Sequence, residues 1–153
     1  MRALELKIPP GVVVLLIAAL MWLASRTVPD LSFALPARTV VALCLVGLGV
    51  TVSGLGVVSF RRADTTVNPL KPGAARALVV SGLYRVTRNP MYLGFLIGLT
   101  GWAVSLANAL AFLFLPAFVL YLNRFQICPE ERALAARFGD EFAAYQAKVR
   151  RWL

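Results

Sequence analysis

Two short polar segments carry the side chains able to do chemistry. The first runs Ser81-Gly82-Leu83-Tyr84-Arg85-Val86-Thr87-Arg88-Asn89-Pro90-Met91-Tyr92-Leu93-Gly94 and sets cations, an amide and a phenol ahead of an apolar run. A structural role explains part of it. Asn89 is a preferred N-cap, Pro90 suits a first helical position, and Arg85 and Arg88 suit interfacial anchors. That role leaves out Tyr92, one turn further on. The second segment, Cys128-Pro129-Glu130-Glu131-Arg132, puts two carboxylates just beyond an apolar run. Acids in a first helical turn suit the helix dipole. Carboxylates beside lipid are also costly unless paired, and Arg85, Arg88 and Arg124 are available to pair with them. Capping and ligand roles both fit. The chain has no histidine, which excludes a Ser-His-Asp triad, a His-ligated metal and a His general base. Neither Cys44 nor Cys128 has metal-site spacing, and they read as two free thiols.

The elements that must position these groups follow from where charge is absent. Of 153 residues, 59% are hydrophobic and 15% charged, against about 25% charged in a soluble domain. Residues 8–25, 39–60 and 89–123 carry no charge. A helix crossing a bilayer needs roughly 20 apolar residues. The first two stretches are one span each, and the third is two short ones, with Ser105-Leu106-Ala107-Asn108 as the polar break. The expected fold is one all-α integral membrane domain over 1–153, with four transmembrane helices near 9–25, 37–60, 91–105 and 109–125. The last two form a helical hairpin. Gly94 and Gly98 make a small-xxx-small pair, and Gly47, Gly49, Gly54 and Gly56 of the second span suit close helix packing. They leave the oligomeric state open.

The net charge of +9 comes from 16 Lys and Arg against 7 Asp and Glu. It concentrates in loop 61–90 (Arg61, Arg62, Lys71, Arg76, Arg85 and Arg88 against Asp64) and after Arg124, whereas the loop after the first span holds Arg26, Asp30 and Arg38. Lys/Arg bias puts loop 61–90 and both termini in the cytoplasm. No aromatic-interleaved basic platform is present, so nucleic acid is not an expected partner. Arg2, Lys7 and the first apolar run resemble a signal peptide, but three further spans follow, so it reads as an uncleaved first helix. Past Glu131, residues Leu134, Phe138, Phe142, Tyr145 and Val149 share one helical face. Gly139-Asp140 reads as a stop and a new N-cap, giving two amphipathic C-terminal helices within 129–150. These lie on the membrane, fold as a lid over spans three and four, or do both.

Together the two polar segments resemble the membrane-embedded methyltransferases, which include isoprenylcysteine carboxyl methyltransferases and phospholipid N-methyltransferases. The run 82–94 is similar to their Arg-His/Asn-Pro-x-Tyr-x-Gly motif. Gly101-Trp102-Ala103 and then Glu130-Glu131 follow in the family's order, and Phe138-Gly139 with Tyr145 resembles the C-terminal helix of bacterial members. The resemblance covers residues 80–153. Asn89 stands where the isoprenylcysteine branch usually has histidine; asparagine occurs in the phospholipid branch and in bacterial homologues. The ending Arg150-Arg151-Trp152-Leu153 lacks a proline often found there.

The resemblance implies an S-adenosylmethionine (SAM) site, with S-adenosylhomocysteine as product, at the cytoplasmic face of a multi-pass protein of the bacterial inner membrane. Arg88, Asn89, Pro90, Tyr92 and Gly94 carry its first motif, and Glu130 and Glu131 its second. The cofactor's chemistry suits these residue types. A ribose diol takes a carboxylate such as Glu130 or Glu131. A methionyl carboxylate takes Arg88, Asn89 or Arg151, and a sulfonium takes an aromatic face, Tyr92 or Tyr145. No catalytic residue is identifiable beyond Glu131 and Arg88 as candidates, and no metal is expected. The implied acceptor is lipophilic, either an isoprenylcysteine-like carboxylate or thiol or a phospholipid amine, and it enters from the bilayer. The alternatives are an NADPH-dependent reductase of the steroid-reductase type, which shares an Arg-x-x-Pro-x-Tyr-x-Gly run, and a non-catalytic lipid-binding protein.

Overall fold

The computed structural model describes residues 5–64 and 75–153. Arg2, and Lys71 with the middle of the basic loop 61–90, lie outside the described residues. Among the described residues, regular structure is helical apart from two isolated bridges, Ser32 with Asn108 and Thr87 with Arg150. The chain is an all-α membrane protein. Its helices are α1 (Pro10–Thr27), α2 (Arg38–Arg62), α3 (Pro90–Leu106), α4 (Ala109–Phe112), α5 (Phe114–Leu122) and α6 (Cys128–Lys148).

Three helical stretches are long and apolar enough to cross a bilayer: α1, α2 and the run from Ala109 to Lys148. At 17 residues α3 is shorter. Large apolar side chains such as Leu15, Leu16, Val40, Leu43, Val50 and Leu120 point outward. Helices greasy on their outer faces are stable only where the solvent is lipid.

Prolines and capping groups set the helix ends. Pro10 and Pro90 begin α1 and α3, where a missing N–H has no helical partner to lose. At the hairpin Ala107 takes a left-handed conformation (φ 47°) and ends α3. Asn108 then caps α4, its Oδ1 accepting from the Leu110 N–H at 3.0 Å. The fully buried Asn108 amide also donates to the Val28 carbonyl at 2.9 Å, tying the α1–α2 connection to the hairpin.

The closest packing is α2 on α3, along a seam of small residues seven apart. Ala42, Gly49 and Gly56 are the buried positions of α2, and they meet Gly101, Gly94 and Met91 of α3. A Cβ on Gly49 would stand 2.5 Å from the Gly94 carbonyl oxygen and 2.8 Å from the Gly98 nitrogen. Gly47, Gly54 and Gly98 would meet nothing within 4 Å. The expectation that all four α2 glycines serve packing is therefore corrected to Gly49 and Gly56, and of the Gly94/Gly98 pair only Gly94 lacks room for a side chain. On the other flank α1, α4 and α5 close over α3, burying Met21, Leu99, Ala103, Ala111, Phe118 and Leu122.

Candidate functional site

The segment before α3 is held by the end of the chain. Gly139, at φ 50° inside α6, breaks its helical course, and after Lys148 the chain becomes extended. Val149 to Arg151 then lie alongside Thr87 to Asn89. The Arg88 N–H donates to the Arg150 carbonyl at 2.9 Å. The Arg151 carbonyl accepts from Thr87 Oγ1 at 3.2 Å and from Asn89 Nδ2 at 2.9 Å. Arg88 Nη1 donates to the carbonyls of Val149 at 2.5 Å and Gln146 at 3.2 Å. Tyr145 closes the other side, its hydroxyl donating to the Tyr84 carbonyl at 2.7 Å.

Onto this frame the two glutamates bring opposite chemistry. Glu131 is gripped by two arginines. Arg88 Nη2 lies 2.8 Å from Oε1, and Arg151 reaches both oxygens, Nη2 at 2.5 Å and Nε at 3.1 Å. Burial alone would raise this carboxyl, but hydrogen bonds and charge from Arg151 and Arg88 outweigh it and hold the group below the usual carboxylate range. Glu130 lies past the apolar run and turns toward α3. Its Oε1 accepts from the Tyr92 hydroxyl and from Gln126 Nε2, both at 2.6 Å. Burial pushes Glu130 up to about 7; those two hydrogen bonds oppose the rise and the Glu131 charge adds to it. Two guanidiniums thus face one ionised carboxylate, and the buried Arg88 Nε has no acceptor among the described residues.

The backbone between α5 and α6 explains why both acids face inward. Pro129 has no N–H for the Phe125 carbonyl four residues earlier. The helix widens into a π turn over Asn123–Ile127 and continues straight into α6. The freed Phe125 carbonyl instead accepts from the Leu6 N–H at 3.0 Å. Glu5, next in the chain, pairs with Arg124 at 3.1 Å and with Arg132. No free helix start exists at Cys128, so the reading of Glu130 and Glu131 as dipole-capping acids is corrected: the chain is already helical when it reaches them. Asn89 does occupy the N-cap position of α3, but its side chain makes no capping bond and goes to Arg151 instead. Arg151, not Arg85 or Arg124, joins Arg88 on the glutamate.

The structure gathers Arg88, Asn89, Tyr92, Glu130, Glu131 and Arg151 at one end of the helix bundle, with Tyr145 beside them at Tyr84. Pro90 is buried at the first turn of α3. Gly94 sits in the seam with α2, where a Cβ would meet the Gly49 carbonyl and Ser53. Sequence reasoning missed Gln126 and Thr87. The signal for Gln126 is its place four residues before Glu130, an amide one helical turn from a carboxylate just past an apolar run. Thr87 carried no such signal, because its partner at Arg151 exists only once the tail folds back.

Comparison with known proteins gives a consistent result. The family model for phospholipid methyltransferases matches residues 37–141. An uncharacterised protein of Haemophilus influenzae is 49% identical over 63 residues, 41% of this chain and the whole of that protein. A probable protein-S-isoprenylcysteine O-methyltransferase of Oryza sativa subsp. indica is 38% identical over 112 residues, 71% of this chain and 57% of its own. Methanethiol S-methyltransferase 1 of Bradyrhizobium diazoefficiens is 37% identical over 67 residues, 44% of this chain and 22% of its own. The chain therefore spans rather more than half the length of the rice relative. No solved structure matches.

Proposed function

Because the chain belongs to the phospholipid methyltransferase family, we propose that it is a membrane methyltransferase that moves a methyl group from SAM to a lipophilic acceptor. The observation that carries this reading is the joining of the two distant polar segments through Arg88–Glu131 and Tyr92–Glu130. The donor set suits a zwitterionic nucleoside. The surplus guanidinium charge and the unpartnered Arg88 Nε suit an α-carboxylate. Glu131 suits the α-amine, Glu130 a ribose diol, and the rings of Tyr92 and Tyr145 a sulfonium. When bound, the cofactor supplies an activated methyl group that leaves by in-line displacement.

The protein's share of the work is orientation and exclusion of water. Asn89 and Thr87 hold the chain's end over the site, and Arg88 braces it through Val149 and Gln146. An acceptor that is already a carboxylate or thiolate requires no base. An amine acceptor must lose a proton, to a glutamate or to bulk water, and Glu130, being the less readily ionised of the two acids, is the stronger base of the pair. The printed names of the relatives specify an isoprenylcysteine carboxyl group and a small thiol, so the acceptor here is proposed only as lipophilic. The proposed arrangement has four spans, the short α3 among them since a helix of about 17 residues reaches the lower limit for crossing. The amphipathic α6 lies at the cytoplasmic face of a bacterial inner membrane, and both termini are cytoplasmic.

Purified protein in detergent is expected to melt higher with S-adenosylhomocysteine and not with NADPH. The Asn89→Ala and Glu131→Ala variants should fold and lose that shift. Stabilisation by NADPH alone, or shifts unaltered in both variants, would overturn the reading. Mass spectrometry of lipid extracts after incubation with methyl-labelled SAM then identifies the acceptor.

A further inference from the structure

At the end of the bundle away from Glu130 and Glu131 there is an open cavity of about 460 Å³. Trp22, Ser25 and Arg26 of α1, Arg38 of α2, and Trp102 and Ser105 of α3 form its walls. The Trp102 indole N–H donates to the Ala18 carbonyl at 3.0 Å, and the Arg26 guanidinium lies over the Trp22 ring at 5.7 Å. Ser25 and Ser105 donate their hydroxyl protons to the Trp22 and Trp102 carbonyls, each at 2.7 Å. The two arginines are therefore the groups that meet a charge here.

Among the described residues the ion pairs involve Arg88, Arg124, Arg132 and Arg151, and neither Arg26 nor Arg38 has a carboxylate partner. Asp30, on the turn between α1 and α2, does not line the cavity. Arg26 at least sits in the last turn of α1, where a cation is favoured. Arg38 opens α2, where the dipole disfavours a cation, and that helix start has neither an acid nor a side-chain cap. Arg38 is thus a charge for which the described residues give no internal reason. The two indoles, both partly exposed, are the side chains typical of headgroup depth.

We infer that this cavity binds the phosphate of an anionic phospholipid headgroup. The acyl chains lie on the apolar surface beside α1, where Leu16, Leu20 and Leu23 are exposed. Two arginines over one phosphate supply charge and forked hydrogen bonds, and the Trp22 and Trp102 rings cover the glycerol. This site is separate from the proposed methyl-transfer site and does not depend on it.

The test is native mass spectrometry of the full chain in detergent containing phosphatidylglycerol or phosphatidylcholine. A one-to-one phosphatidylglycerol adduct is expected, held about tenfold more tightly than phosphatidylcholine. It should weaken about thirtyfold in R26Q/R38Q, as for the loss of two interfacial charges. R26K/R38K, which keeps the charge, should retain the adduct in large part, and R137Q, at the other end of the molecule, should match the native chain. Should R26Q/R38Q not fold, the single variants R26Q and R38Q carry the test, each weakening the adduct by about fivefold. Equal binding of the two lipids, or a phosphatidylglycerol adduct unchanged when the arginines are neutralised, overturns the inference. Thermal stabilisation by inorganic phosphate without any lipid adduct places a free anion there and overturns the lipid assignment.

Discussion

Glu130 and Glu131 are neighbours in the chain, yet their surroundings drive them apart. Glu131 is a fixed anion between Arg88 and Arg151, whereas Glu130 is desolvated against Tyr92 and Gln126. Glu131→Ala leaves two guanidiniums facing each other, partly buried and without their shared acceptor. A loss of about 1–3 kcal/mol is expected, read by thermal or denaturant unfolding in detergent. Arg151→Lys keeps the charge but not the fork that reaches both oxygens, and it should weaken S-adenosylhomocysteine binding more than it weakens the fold. A variant that bound as tightly as the native chain would remove Arg151 from the site. The Glu130 carboxyl titrates near 7 in the folded protein, above its ordinary 4.5. A raised carboxyl favours the fold in its protonated form. Its contribution is complete below about pH 4.5 and disappears as the pH rises through about 7. The lowered Glu131 acts in the opposite sense and only on the acid side, where its contribution is lost as pH falls. Melting temperature should therefore decline between about pH 5 and 8, and less steeply in Glu130→Gln. An identical slope in that variant would mean another group titrates.

At the scale of elements, the sequence disclosed more about helices than about how they join. Absence of charge marked where α1, α2 and α3 lie, and the polar break at 105–108 marked the hairpin, because both signals are local. Gly139 was readable for the same reason: a residue without a Cβ permits the conformation that breaks α6. The continuity of α5 into α6 was not readable. Pro129 suggests a new helix, and only the Leu6 N–H, a residue far away in the chain, shows how its freed carbonyl is satisfied. The arginine partners of Glu131 were hidden likewise, since Arg151 reaches the site through the folded-back tail. Close packing was legible in the glycines of α2, but which of them pack was not: Gly47 with Gly54 and Gly49 with Gly56 are both seven apart, and only the α3 register separates the pairs, as it separates Gly94 from Gly98. Gly94→Ala pushes a Cβ into the Gly49 carbonyl, and the helices must separate; about 1–3 kcal/mol of stability should be lost. Gly98→Ala meets nothing and should stay within about 0.5 kcal/mol of the native chain. Chemical or thermal unfolding of the two variants side by side decides this. Equal damage would mean that α2 and α3 do not cross at Gly94.

For the molecule as a whole, charge and chemistry are segregated by end. The site end carries Arg61, Arg62, Arg85, Arg88, Arg124, Arg132, Arg137, Lys148, Arg150 and Arg151, and the opposite end carries Arg26 and Arg38 with Asp30. Lys and Arg are retained on the cytoplasmic side during insertion, so the site end is expected to face the cytoplasm, where a water-soluble nucleoside cofactor is available. On the proposed function the bundle would serve two solvents at once, with polar groups for the cofactor at the end of α3 and apolar surface along its length for an acceptor dissolved in lipid. Cysteine labelling tests the orientation. In a Cys44→Ser/Cys128→Ser background, a membrane-impermeant maleimide added to intact cells should modify the Asp30→Cys variant. It should modify Arg62→Cys only after the membrane is permeabilised. Both positions are exposed, so a difference in labelling reports side and not burial. Labelling of Arg62→Cys in intact cells would put Glu131 and its arginines outside, away from any cytosolic cofactor. The methyl-transfer proposal would then lose its donor even with the geometry of the site intact.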